Sequence, residues 1–171
     1  MDSSQAAAGS RRLGEGAPPD RGAPARQRAR LRWMILAAIL LVLVQAGIGM
    51  VVNLYVTIPA SHPGAHPADY VTGSFRSVAW AIGNGGPALV VHASLGLALA
   101  VAVIGVAGRA LRLGRPAVGV LSVLAMLLVI GAGFNGASFL DFNQNVSSLI
   151  MALLTLGALG CYAAALCLLA V

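Results

Sequence analysis

Few side chains in this chain could carry chemistry: three histidines, two cysteines and five acidic residues among 171. His92 is the most telling, because long apolar runs surround it and an ionisable group inside a bilayer is costly without a partner. Three roles fit it. It could be a neutral imidazole bonded to Asn135, Asn53 or a backbone carbonyl, it could hold a ligand or metal, or it could pass a proton. His62 and His66 stand four apart in the segment HPGAHP. With His92 they form a candidate set of imidazole ligands for copper, zinc or haem. The neighbouring prolines argue against a helix that would put both loop rings on one face, so a loop must gather them. The plainer reading is an external turn with two solvent-facing rings. Haem b between two axial imidazoles needs two opposed ligands, and only one apolar run contains a histidine. A shared haem would therefore require a symmetric dimer with paired His92 residues.

Cys161 and Cys167 lie on one apolar run and, six apart on a helix, point about 120° from each other. They cannot bridge, and thiols in apolar surroundings are mostly inert packing residues. No nucleophile–base set, phosphate-cradling glycine loop or carboxylate pair is present. Only Asp69 and Asp141 lie outside the first 29 residues. This weighs against an enzyme, and neither haem nor copper is expected.

The polar residues are one-sided. Asn53, His92, Asn135, Ser138, Ser147 and Ser148 sit near one end of their apolar runs, close to His62, His66, Asp69, Asp141, Asn143 and Asn145 in the connecting loops. The opposite half carries little beyond Ser122 and Thr155. This distribution points to an outward-facing polar pocket lined by Asn53, His92, Asn135, Ser138 and Ser147. The run GAGFNGASF, residues 131–139, is the densest small-and-polar segment. Its glycines permit an unwound helix end, and plain close packing is the alternative.

The elements that position these residues follow from hydropathy. Mean hydropathy is +0.86 and the hydrophobic share 58%, and four apolar runs cover about 33–56, 87–107, 116–138 and 146–171. Each is near or above the ~20 residues that cross a ~30 Å hydrocarbon core. The expected fold is all-α: a four-helix transmembrane bundle, residues 30–171, behind a disordered arginine-rich tail, residues 1–29, that lacks hydrophobic periodicity. A signal peptide is the competing reading of the N-terminus, but the first apolar run is too long for one.

Arg11, Arg12, Arg21, Arg26, Arg28, Arg30 and Arg32 precede the first run, and Arg109, Arg112 and Arg115 separate the second from the third. Among the basic residues only Arg76 falls elsewhere. Basic residues beside membrane ends stay cytoplasmic, so both termini are expected inside a cell membrane, with loops 57–86 and 139–145 outside. The net charge of +6 then reads as topology and attraction to anionic inner-leaflet lipid at the tail, not as nucleic-acid binding. Arginine without any lysine, together with heavy alanine and glycine use, suggests a GC-rich bacterial genome.

Within the first run Gln45, Gly49 and Asn53 recur every four residues and should face the bundle. From Ala68 to Ile82 a short interfacial helix is expected on the outer surface. The pairs Gly96/Ala100, Ala132/Gly136 and Gly160/Ala164 allow close helix approach. The short connection 108–115 makes the second and third helices antiparallel neighbours.

Asn53-Leu-Tyr-Val, Pro59, His62-Pro-Gly, Trp80-Ala, His92, Leu95-Gly96, Gly133-Phe-Asn-Gly-Ala-Ser-Phe139 and Ser147-Ser-Leu-Ile-Met151 together resemble a set of small four-span bacterial, actinobacterial-type integral membrane proteins. The resemblance covers about residues 40–165. It implies a four-helix membrane fold and supplies no activity, ligand or catalytic residue. The favoured expectation is a non-enzymatic binding or accessory subunit whose polar pocket around His92 and Asn135 binds a small ligand, a metal or a partner subunit, with a homodimer or a partner membrane subunit as the candidate assembly. The runner-up is a haem- or copper-binding redox subunit. A small transporter or channel comes third, since four spans need oligomerisation to enclose a pore, no polar path crosses the inner half and no internal repeat is visible.

Overall fold

A computed structural model describes residues 23–142 and 145–170, all of whose regular structure is helical. Helix α1 spans Ala23–Tyr55, α2 Tyr70–Asn84, α3 Pro87–Arg112, α4 Pro116–Phe142 and α5 Asn145–Ala170. The helix start at Ala23 corrects the boundary expected at residue 30. Alanine, arginine and glutamine between 25 and 32 are good helix formers, and Pro24 is tolerated in the first turn. The rest of the tail, including Arg11, Arg12 and Arg21, lies outside the described residues, as do Asn143 and Val171.

Helices α1, α3, α4 and α5 are each long and apolar enough to cross a membrane. Twenty-six residues of α3 rise about 39 Å, beyond a ~30 Å core. The chain is a multi-pass integral membrane protein. Its four spans form a closed ring in which α1 packs on α3 and α5, and α4 packs on α3 and α5. Diagonal pairs do not approach one another. The centre is filled by Ile35, Val103, Ala125, Ala158, Tyr162 and Ala165, all buried, while Leu40, Val101, Leu127, Leu153 and Leu156 face outward. Lipid tails are as apolar as leucine, so the interior selects residues that let backbones approach, and large side chains are left to the lipid. Between α4 and α5, Leu154 lies over Gly131, Met151 over Gly136 and Leu128 over Gly157.

Helix α4 is unbroken through residues 131–139. The close-packing reading of that segment holds, and an unwound end is not formed. The arginines of α1, Arg109, Arg112 and Arg115 all occupy one end of the ring, which the charge rule makes cytoplasmic. Helix α2 lies at the opposite end against α3 and α4. Asp69 caps it, accepting the Thr72 N–H at 2.8 Å, a bond that holds the Asp69 carboxyl below its ordinary range. Gly73, Ser74, Ser77 and Ala81 form the buried face, and Val71 and Phe75 point away from the protein.

Candidate functional site at the outer end

The segment between α1 and α2 folds down on α4 through a set of residues that each fit one place. His62 stacks on Trp80 with ring centroids 4.4 Å apart, and its Nε2 lies 3.0 Å from the Leu140 carbonyl oxygen, at donating distance. Gly64 has φ +105°, and its Cα is pressed against Ser77, where any side chain would collide. Gly73 is likewise closed off by Pro67. The His66 amide donates to the Asp141 carbonyl oxygen at 3.2 Å, with φ +49° at His66 and its ring edge-on to Phe142.

Asp141 is the centre of this cap. It is 2% exposed, and its carboxylate accepts from the hydroxyls of Ser77, at Oδ1, and Ser74, at 3.4 Å from Oδ2. A buried carboxylate is tolerated only when hydrogen-bonded, and here the two serines of the buried face of α2 supply those bonds. Farther down α4, the Tyr70 hydroxyl donates to the Phe134 carbonyl oxygen at 3.1 Å and lies 2.6 Å from Ser138 Oγ. Ser138 is one turn inside Asp141, so the start of α2 leans about 5 Å down the side of α4.

His92 lies in a different place, the seam between α1 and α3. Gln45 Nε2 donates to the His92 backbone oxygen at 3.0 Å and lies 3.5 Å from ring Nε2. Gly49 makes room for the ring, whose Cε1 lies 2.8 Å from where a Cβ would stand. His92 Nδ1 and Gln45 Oε1 are both buried without hydrogen-bond partners among the described residues.

Each of the four polar residues expected beside His92 in one pocket has its own setting. Asn53 accepts from Ser148 on α5 at 3.1 Å, Asn135 bonds back to Gly131 in its own helix at 2.9 Å, Ser138 meets Tyr70, and Ser147 is buried on the first turn of α5. No hydrogen bond joins any two of the five. The expected shared face of Gln45, Gly49 and Asn53 also divides. Over eight residues a helix drifts by about 80°, which carries Asn53 from the α3 side to the α5 side. His62, His66 and His92 occupy three separate environments. Among the described residues no three His, Cys, Asp or Glu side chains are grouped to hold a metal ion.

Two residues important to the packing give little sign of it in the sequence. Asp141 reads as a loop charge until α4 is seen to extend to Phe142. Tyr162 reads as one more apolar residue, yet it is the largest fully buried side chain and its hydroxyl lacks a partner among the described residues. The arrangement as a whole is a clasp: Asp141, the buried carboxylate among the described residues, accepts from both serines of α2 and holds α2 to α4. In comparisons with protein-family models, curated proteins and solved structures, nothing matches this chain.

Proposed function

We propose that this protein is a non-enzymatic accessory subunit of the cell membrane whose outer cap is the element recognised by a partner membrane subunit. The supporting observation is how the cap directs its side chains. Helix α2 turns its serines and glycine inward onto Asp141 and leaves Val71 and Phe75 outward, Phe75 being 68% exposed. A helix whose apolar ridge faces away from its own bundle needs lipid or a partner to cover that ridge. The clasp gives the ridge the fixed geometry that specific docking requires. His92 and Asn135 act in this reading as packing residues of their seams.

Photocrosslinking in the producing cell tests the proposal. A photoreactive amino acid in place of Phe75 should give a discrete protein adduct, and the same group in place of lipid-facing Leu153 should not. Lipid adducts alone at both positions would overturn the recognition role.

A further inference from the structure

The cytoplasmic end of the α3–α4 pair carries a feature unrelated to the cap. A groove of about 640 Å³ runs along the outside of the bundle, lined by Leu111, Gly114, Arg115, Val120, Leu124 and Leu127 among others. Gly114, at φ +72°, makes the tight turn that brings Arg115 to its inner end. From Arg115 to Leu127 the groove follows α4 for twelve residues, about 18 Å, a little over half of a ~30 Å core. It begins at headgroup level and ends near mid-membrane, which is the reach of one leaflet.

The chemistry of its lining is as asymmetric as its position. Everything beyond the turn is apolar, and the mouth holds a half-buried guanidinium whose Nη1 has no hydrogen-bond partner among the described residues. The described acidic residues, Asp69 and Asp141, both lie at the opposite end of the molecule. Arg109 and Arg112, exposed on the last turns of α3, add positive potential, and Pro116 opens α4 where the first helical amides have no intrahelical acceptor. A partly desolvated arginine calls for an anion, and basic sites between transmembrane helices on the cytoplasmic side suit anionic headgroups.

We infer that this groove is a binding site for one anionic phospholipid of the inner leaflet, with its phosphate on Arg115 and an acyl chain along Val120, Leu124 and Leu127. The lining residues run from Leu111 to Leu127 and include none of the arginines of α1.

Native mass spectrometry of the full chain in mild detergent, with phosphatidylglycerol or phosphatidylcholine of identical chains, tests it. The first phosphatidylglycerol should be held about tenfold more tightly, the equivalent of one charge-assisted contact. Arg115→Gln should remove that preference, and Arg11→Gln with Arg12→Gln should leave it. Val120→Trp, at an exposed position, keeps the arginine and fills the groove, and it should abolish the first adduct without altering helicity. An undiminished preference in either Arg115→Gln or Val120→Trp would overturn the site. So would glycerol phosphate competing as well as the intact lipid, because the apolar groove would then contribute nothing.

Discussion

Removing the Asp141 carboxylate should unfasten the cap and leave the bundle standing. In Asp141→Ala the hydroxyls of Ser77, 0% exposed, and Ser74, 3% exposed, lose their acceptor. Each buried hydroxyl left unsatisfied costs about 1–3 kcal/mol. Part of that is returned because a desolvated carboxylate no longer has to be buried, so a net loss of about 2–4 kcal/mol is expected for the closed cap. The loss falls on a contact between α2 and α4 and touches no residue of the ring centre. At tenfold per 1.4 kcal/mol, amide exchange across residues 70–84 should quicken by about 30- to 1,000-fold, with α5 peptides within about threefold of the parent. Hydrogen exchange followed by mass spectrometry in detergent reads both regions in one experiment. Asp141→Asn, which keeps one carbonyl acceptor, should fall between parent and alanine variant. Unchanged exchange over 70–84, or equal acceleration of α2 and α5, would refute the view that Asp141 is a clasp for α2.

Tyr162→Phe should be neutral or stabilising by about 1–2 kcal/mol, because it removes a buried hydroxyl without a described partner and keeps the ring that fills the centre; thermal unfolding in detergent measures it. Gly49→Ala should destabilise by about 1–3 kcal/mol, since the new methyl meets the His92 ring at 2.8 Å. In a His92→Ala background most of that penalty should vanish, which a double-mutant cycle on unfolding midpoints would detect. Acid should loosen the start of α2. The Asp69 carboxyl is held below its ordinary range by its bond to Thr72, so its contribution is complete above the unfolded-state value and is lost as pH falls through the folded one. Limited proteolysis of the 57–69 segment should therefore rise below about pH 4 in the parent, and Asp69→Asn, which caps without titrating, should not add that rise.

Hydropathy made the four spans legible, because lipid imposes length rules that need no knowledge of packing. Helix α2 was nearly as clear: expected over Ala68–Ile82, it runs Tyr70–Asn84, because Asp69 caps it and Gly85 ends it. The site was not legible in the same way. That His92 and Asn135 share a depth says nothing about which sides of their helices face each other, and it is Gln45, forty-seven residues away, that the ring meets. An aspartate in the run Asp141-Phe-Asn-Gln looks the same in sequence whether it is solvated or sealed. Asp141 became distinguishable only when Ser74 and Ser77, three apart on α2, were placed opposite it.

That contact also joins parts of the chain made at different times. Helix α2 belongs to the connection between the first and second spans, and Asp141 emerges only with the end of the third. A nascent chain halted after α3 carries Ser74 and Ser77 without their Asp141 acceptor, and α2 then rests on α3 alone. The outer cap can set only after the second hairpin has entered the membrane. Its closure therefore waits on α4, because His62 and His66 meet the Leu140 and Asp141 carbonyls only once that helix is in place.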